Sequence, residues 1–325
     1  MNRAASSIYR LDQNIRTIPD PELKNPKIRD RIQDLKEERD AIILAHNYQI
    51  DEVQDIADFV GDSLELSRTA SVVNRKVIVF CGVDFMAETA AILSPEKTVL
   101  LPAAEACCPM AEMIMGEDVR RLREQFPEAA VVAYVNTTAE VKAESDICCT
   151  SANAVKIIRS MDENQILFVP DRNLGLYVAR FTEKEVLPWE GYCLVHDRYT
   201  TEEVTEAKKR HPKAELLVHP ECRPEVIDCA DHVYSTSGII QYACSGKGEE
   251  YIIGTEVGIL HRLRRLCPEK RCYPLSPHAV CANMKKTTLE KVFLALERMT
   301  PRITVEESIA VRARAAIERM LAIKE

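Results

Sequence analysis

The feature that most constrains the fold of this chain is a threefold repeat in its pattern of apolar and polar residues. Three segments carry the same order of patterns: residues 41–70, 130–158 and 214–243. Each begins with a short apolar run of strand type and ends it in a polar triplet, HNY, YVN or HPE. Tyr134 follows His46 by 88 residues, and His219 follows Tyr134 by 85 residues. Repetition at such a regular spacing predicts three copies of one structural unit.

The pattern within each copy alternates between strand-like and helical stretches, which predicts parallel sheets joined by helical crossovers. We therefore expect an α/β fold of three similar αβα three-layer domains with small parallel sheets, related by pseudo-threefold symmetry. The expected divisions are an N-terminal helical segment (1–40), three repeats (41–125, 126–212 and 213–285) and C-terminal helices that pack back on the domains (286–325). In such sheets ligands bind beyond the carboxyl ends of the strands, where the three polar triplets fall.

Composition limits the classes of partner. The chain has 325 residues, a net charge of −8 and only 6% aromatic residues. A nucleic-acid-binding protein would need a basic face with aromatic side chains for stacking, so we expect no nucleic-acid partner. No apolar run is long enough to span a bilayer and no signal-peptide pattern begins the chain, so we expect no membrane partner and a cytoplasmic location.

Twelve cysteines are present without a CxxC pair. In a large chain without an export signal, buried thiols or metal ligands are expected rather than disulfides. Each repeat ends in a cysteine at a corresponding place: Cys108, Cys193 and Cys281. Three thiolates converging on one axis could hold three irons of a four-iron cluster, whereas three packing cysteines would give the same spacing. A zinc site is less favoured because no fourth ligand repeats. Cys107 is interpreted as a buried filler beside Cys108.

Hydroxyl residues recur at the helix starts of the three repeats, at Ser63, Ser151 and Thr236. Any one of them alone is best explained as a helix N-cap. Three in register at strand ends predict instead three helix N-termini directed at one anionic ligand with two carboxylates or a phosphate.

Groups suited to proton transfer and substrate orientation lie at the strand ends. Glu221 beside His219 offers a carboxylate and an imidazole for proton transfer, and His46 occupies the position equivalent to His219. Further candidates for the pocket are Tyr48, Tyr134, Asn136 and, three residues after Cys193, His196. Lys285 and Lys286 are interpreted as a solvated helix face and are left out of the site.

Nine blocks in order, among them ILAHNYQ, DIADFVGDSLELSR, GVDFMAE, CPMAEM, PDRNLG, VHPECRPEV, IGTEVGILHRL and AVCANMKKTTLE, resemble the quinolinate synthase family, the iron–sulfur enzymes of bacterial NAD biosynthesis. The resemblance implies one [4Fe–4S] cluster with three cysteine ligands and one open iron. It also implies condensation of iminoaspartate with dihydroxyacetone phosphate to quinolinate, with an L-aspartate-oxidising enzyme as possible functional partner.

The resemblance assigns roles to residues of this sequence. The cluster ligands are Cys108, Cys193 and Cys281. The catalytic residues are Glu221, His219, Tyr48 and His196. The substrate-binding residues are His46, Ser63, Tyr134, Val135, Asn136, Ser151, His219, Pro220, Glu221 and Thr236. Two departures from the family pattern are Leu194, where proline is frequent, and Ser235, which leaves the Thr236 register open by one residue.

Two other functions remain open on the sequence. An iron–sulfur electron carrier or redox sensor is one, although a carrier normally has four thiolate ligands and only three cysteines repeat. A metal-free α/β enzyme or ligand-binding module that uses the anion pocket alone is the other.

Overall fold

The structure, a computed structural model, describes residues 27–323 and contains three parallel four-stranded sheets with the same strand order. The order is β2-β1-β3-β4 in the first sheet, β6-β5-β7-β8 in the second and β10-β9-β11-β12 in the third. The strands are β1 (Ala41–His46), β2 (Phe59–Gly61), β3 (Val77–Cys81), β4 (Thr98–Leu100), β5 (Ala130–Tyr134), β6 (Ile147–Cys149), β7 (Gln165–Val169), β8 (Glu185–Pro188), β9 (Glu215–Val218), β10 (His232–Val233), β11 (Glu250–Gly254) and β12 (Arg271–Pro274). The predicted α/β class with three similar units is confirmed. The residue boundaries between the units stay a prediction.

Helices connect the strands in each repeat. They are α2 (Asp51–Ile56), α3 (Ser63–Val72) and α4 (Asp84–Leu93) in the first, α6 (Ala139–Ala143), α7 (Ala154–Ser160) and α8 (Arg172–Ala179) in the second, and α10 (Pro224–Asp228), α11 (Thr236–Ser245) and α12 (Ile259–Leu266) in the third. Two linking helices are α5 (Gly116–Gln125) and α9 (Thr201–Arg210). The central strands are apolar on both faces, and all five residues of β3 and of β5 are buried, as expected for parallel strands covered by helices on both sides.

A repeated aspartate fixes the edge strand beside the first strand in every sheet. The carboxylates of Asp58, Asp146 and Asp231 accept hydrogen bonds from the backbone N–H groups of Ile43, Val131 and Leu216, at 2.8, 2.7 and 2.7 Å. The three aspartates stand directly before β2, β6 and β10. The offsets between them are the 88 and 85 residues found in the sequence. The three units therefore share this hydrogen bond as well as their strand order.

The terminal helices cover the repeats. The helix α1 (Lys27–Glu38) packs against α13 (Leu289–Arg298), and α14 (Glu307–Ala322) packs against α6 and β6 of the second repeat. Both ends were predicted to be helical; residues 1–26 and 324–325 lie outside the described part of the chain. Within the described residues, no helix has the length and apolarity that a membrane crossing requires.

One prediction about the cysteines is wrong. Cys244 and Cys267 form a disulfide, with an S–S distance of 2.11 Å. The sequence favoured free thiols because the chain is large and shows no export signal. In the structure α11 and α12 pack side by side and bring their C-terminal ends together, so that two cysteines 23 residues apart meet. Cys107 also differs from its interpretation as a buried filler, because it is only partly buried.

Candidate active site

The three repeats meet around one cavity, at the carboxyl ends of their first strands. All three repeats contribute to its lining. The lining combines thiols, imidazoles, hydroxyls and the strand-end aromatic side chains of Tyr48 and Tyr134. The predicted site residues in the lining are His46, Tyr48, Ser63, Cys108, Tyr134, Asn136, Ser151, Cys193, His196, His219, Glu221, Thr236 and Cys281. The internal repeat thus places equivalent positions on one shared surface, as expected for ligand sites at the ends of parallel strands.

His46 and His219 occupy equivalent places after β1 and β9 and have the same tautomer. Nδ1 of His46 accepts the backbone N–H of Tyr48 at 3.1 Å, and Nδ1 of His219 accepts that of Glu221 at 3.3 Å. Because a backbone N–H can only donate, each neutral imidazole carries its proton on Nε2. Burial lowers the pKa of both imidazoles to about 3, so both are neutral at pH 7. His219 Nε2 lies 3.2 Å from Ser151 Oγ, at the cavity wall.

The hydroxyls at the helix starts are not the caps. Asp62 is the N-cap of α3, and its carboxylate accepts from Leu64 and Glu65. Ser235 is the N-cap of α11 and accepts from the backbone N–H of Gly238. Another residue performs the capping, so Ser63 and Thr236, the first residues of these helices, present their hydroxyls to the cavity.

A line of hydrogen bonds along the cavity wall joins side chains from all three repeats and ends at Glu221. Tyr48 Oη lies 2.7 Å from Thr236 Oγ1 and 2.5 Å from Thr255 Oγ1. Thr255 Oγ1 lies 2.8 Å from Nε2 of His196, whose Nδ1 lies 2.6 Å from Glu221 Oε2. All five side chains are buried.

The electrostatics of Glu221 give this line a direction. Burial by itself raises the pKa of Glu221, but the imidazoles of His219 and His196 and hydrogen bonds from His196 and Tyr134 outweigh it and lower the pKa to about 2. The carboxylate only accepts, so Nδ1–H of His196 donates to it; in the tautomer whose only proton is on Nδ1, Nε2 accepts from the Thr255 hydroxyl. Burial raises the pKa of Tyr134 and Tyr48 well above the ordinary value, so both remain hydrogen-bond donors.

The three repeated cysteines line the same cavity. Burial raises the pKa of Cys108, Cys193 and Cys281, and the neighbouring Cys281 adds to this effect at Cys108. The Cys193 Sγ lies 3.2 Å from Nδ1 of His196. The thiols are therefore protonated on their own and would lose protons on binding a metal.

Comparison with known proteins identifies the family of this chain. The family model described as Quinolinate synthetase A protein matches residues 30–322. The chain belongs to the quinolinate synthetase A family. Quinolinate synthase of Methanoregula boonei is 66% identical over 296 residues, which are 91% of this chain and 98% of the relative. Quinolinate synthase 1 of Methanosarcina acetivorans is 54% identical and quinolinate synthase of Desulforudis audaxviator 57%; each alignment covers 90% of this chain and 97% of the relative.

Membership of the quinolinate synthetase A family shows an enzyme of the quinolinate synthase type, in NAD biosynthesis, and confirms the resemblance found in the sequence. The family implies small-molecule substrates.

Two sets of donors in this quinolinate synthetase A chain could hold metal. The thiols of Cys108, Cys193 and Cys281 come from three loops around one cavity, a set of soft ligands compatible with an iron–sulfur cofactor. Separately, ligand atoms of Cys193, His196 and Glu221 lie within 4.8 Å of one another, close enough to share a single ion. Within residues 27–323, Cys108 and Cys281 do not belong to this tight group. Thiolates that bind different irons of one cluster do not need to lie as close together as the ligands of a single ion.

Two residues assigned by resemblance lie away from the cavity lining. Val135 is buried, and its backbone N–H donates to the carbonyl of Cys149 in β6. Pro220 lines a neighbouring groove beside Ser151 and Tyr234.

Several residues of the cavity wall had no signal in the sequence beyond their place after a strand. Thr255 follows β11 directly and bridges Tyr48 and His196. Lys285, predicted to be solvated, donates to the Tyr48 carbonyl at 2.6 Å and pairs with the buried Glu256 at 2.9 Å. A strand-end position in a repeated unit was the only clue available for Thr255 and Glu256.

Proposed function

We propose that this enzyme condenses iminoaspartate with dihydroxyacetone phosphate to form quinolinate, with release of phosphate and two water molecules. The observation that supports this most is the single cavity in which three thiols face hydroxyl and imidazole donors and one ionised carboxylate. Family membership supports the reaction type. The residue roles below are part of the proposal.

The donors of the cavity suit the anionic groups of these substrates. The proposed binding residues are His46, Ser63, Tyr134, Val135, Asn136, Ser151, His219, Pro220, Glu221 and Thr236. His46 and His219 present neutral Nε2–H groups, and the hydroxyls of Ser63 and Thr236 are released from capping. Ser151 lies three residues before the start of α7, and its hydroxyl lies 3.2 Å from His219 Nε2. Such groups donate to carboxylate and phosphate oxygens. The ten-residue helices α3 and α11 start at the cavity, so their positive N-terminal ends favour anions there.

Glu221 is the proposed proton acceptor. Forming the pyridine ring requires removal of protons from carbon and delivery of protons to leaving water and phosphate. An ionised, buried carboxylate is available to accept a proton, and Tyr134 beside it remains a donor. His196, Thr255 and Tyr48 connect Glu221 to Thr236 by hydrogen bonds that are directed towards Glu221, so protons can be relayed along this line to the carboxylate.

Cys108, Cys193 and Cys281 are the proposed ligands of one [4Fe–4S] cluster. When bound, a cluster with one iron free of protein ligands supplies a Lewis acid for a hydroxyl or carbonyl oxygen of the substrate. The protein contributes three partly buried thiols on separate loops, and the buried apolar side chains of Met284 and Met110 line the cavity beside them. We propose that an L-aspartate-oxidising enzyme supplies the unstable imine.

The test begins with protein purified without oxygen. Iron and sulfide are counted per chain for the parent, for Cys108→Ala, Cys193→Ala and Cys281→Ala, and for the controls Cys107→Ala and Cys272→Ala. We expect four irons in the parent and the controls, and loss of bound iron in the three ligand variants at parental thermal stability. Four irons retained in any ligand variant would contradict that ligand assignment, and zinc without sulfide in the parent would favour the single-ion site at Cys193, His196 and Glu221.

Quinolinate formation is then assayed with enzymatically generated iminoaspartate. The parent is expected to form quinolinate, and Glu221→Gln to lose turnover while it keeps its iron. A parent that binds four irons but cycles electrons without forming quinolinate would support the electron-carrier or sensor alternative. Quinolinate formed by iron-free parent would overturn the use of the cluster.

A further inference from the structure

Three carboxylates outside the proposed catalytic set recur in the three repeats. Asp84, Asp171 and Glu256 follow the central strands β3, β7 and β11 by three, two and two residues. They lie in the sequence blocks GVDFMAE, PDRNLG and IGTEVGILHRL, for which neither the resemblance nor the cavity chemistry gives these carboxylates a role. Asp171 and Glu256 are 0% exposed.

Two of the carboxylates bind the backbone N–H of a repeated cysteine. Cys193 N–H donates to Asp171 Oδ2 at 3.1 Å, and Cys281 N–H donates to Glu256 Oε1 at 3.2 Å. In the first repeat the backbone N–H of Cys108 faces the carboxyl of Asp84 and lowers its pKa, although burial raises that pKa more.

Each carboxylate also binds the start of the helix that follows the central strand. Asp84 accepts the N–H of Phe85 at 2.8 Å. Asp171 Oδ1 accepts that of Leu174 at 2.7 Å, and Glu256 Oε2 accepts that of Gly258 at 2.7 Å. One carboxylate therefore ties a rigid helix start to a cysteine loop in all three repeats.

A second, independent hydrogen bond sets the register of each loop. The carbonyls of Ala106, Gly191 and Ala279 accept backbone N–H groups at the helix starts, at 2.9, 2.7 and 3.0 Å. Each of these carbonyls lies two residues before the cysteine. The two hydrogen bonds hold the backbone of the loop at the cysteine N–H and at the carbonyl two residues before it. The thiol takes part in neither bond.

We propose that Asp84, Asp171 and Glu256 are positioning residues that hold Cys108, Cys193 and Cys281 in the arrangement that binds the cluster. This inference rests on the proposed role of the three cysteines as ligands.

The test compares Asp171→Ala, which loses both hydrogen bonds, with Asp171→Asn, which keeps one acceptor oxygen. Thr200→Ala is the matched control because it removes the N-cap of α9 in the same repeat and none of the hydrogen bonds that Asp171 makes. In iron-loaded protein, release of iron to a chelator is timed. We expect release at least tenfold faster in Asp171→Ala, an intermediate rate in Asp171→Asn, and the parental rate in Thr200→Ala despite its lower Tm.

A parental rate of iron release in Asp171→Ala, Asp84→Ala and Glu256→Ala would overturn the positioning role. Hydrogen exchange of the cysteine amides in metal-free protein separates this result from failure of the proposed function. Asp171→Ala is expected to speed exchange at the Cys193 amide and to leave the Cys108 and Cys281 amides protected. A parent that binds no iron would contradict the proposed cluster alone, whereas unchanged exchange at Cys193 would contradict the positioning role whether or not iron is bound.

Discussion

The hydroxyl of Thr255 lies 2.8 Å from Nε2 of His196, two residues that belong to different repeats and are 59 positions apart in the sequence. Since Nδ1 of the same ring is directed at the ionised Glu221, this hydroxyl donates to His196 and accepts from Tyr48. Thr255 is thus the central residue of the line of hydrogen bonds that leads from Thr236 to Glu221.

Substitution of Thr255 by valine should reduce turnover. Valine keeps the shape of threonine but has no hydroxyl, so the hydrogen-bond line is broken between Tyr48 and His196. Proton transfer by positioned groups contributes about 10²–10⁴-fold to rates, and we expect kcat to fall about 10²-fold, with little change in KM. Steady-state kinetics of quinolinate formation over a range of pH check this.

Thr255→Ser is the matched control for that substitution, because serine restores the hydroxyl. It should recover most of the parental kcat, and both variants should retain the parental iron content. Equal activity of Thr255→Val and the parent would show that protons do not travel through this residue.

The register at the start of α11 can be tested with two adjacent substitutions. Thr236→Val removes the hydroxyl that lies 2.7 Å from Tyr48 Oη and should lower kcat/KM. Ser235→Ala removes the N-cap and should lower the free energy of unfolding by about 1 kcal/mol, with kcat unchanged. Thermal denaturation and kinetics on both variants separate the roles; a larger kinetic defect in Ser235→Ala would reverse the assignment.

Lys285 should be far more important for stability than its neighbour Lys286. The Lys285 ammonium neutralises Glu256, whose side chain is 0% exposed, and also binds the Tyr48 carbonyl. Removing one partner of a buried ion pair leaves an uncompensated charge, so Lys285→Met should cost about 3 kcal/mol. Lys286→Met loses one exposed contact to the Glu105 carbonyl and should cost less than about 1 kcal/mol. Urea denaturation gives both values, and equal costs would refute the distinction.

His46 should make the protein sensitive to acid. Burial lowers its pKa in the folded state to about 3 from the ordinary 6.5, so unfolding takes up a proton below pH 6.5. Stability from this group is therefore fully present above pH 6.5 and is lost as the pH falls towards 3. Between pH 6.5 and 5 the loss is about 1.5 kcal/mol, which His46→Gln should remove.

The free energy of unfolding at pH 7, 6 and 5 measures this effect. His278→Gln, at an exposed histidine, serves as the control and should follow the parental pH dependence. A parental slope in His46→Gln would show that His46 is not the group that binds the proton.

The threefold architecture could be predicted because its signals are local. Apolar runs of strand length, helical stretches and polar triplets recur at offsets of 88 and 85 residues, and each copy must bury the same faces. The same register predicted that His46, Tyr134 and His219 would share one edge of the assembly, and all three line the cavity. The capping of α3 and α11 by Asp62 and Ser235 was missed, because adjacent polar residues are equally plausible caps until the backbone is known.

The sequence by itself determined the repeated α/β units, the strand-end positions of the site residues and the equivalence of Cys108, Cys193 and Cys281. Only the tertiary structure decided which distant side chains pair: Thr255 with His196 across two repeats, and Lys285 with Glu256 and Cys244 with Cys267 within the third. Periodicity reports which face of an element is buried, and this depends on neighbours in the sequence. A hydrogen bond or disulfide between residues far apart in the sequence depends on how separate elements pack, and no local pattern records the partner.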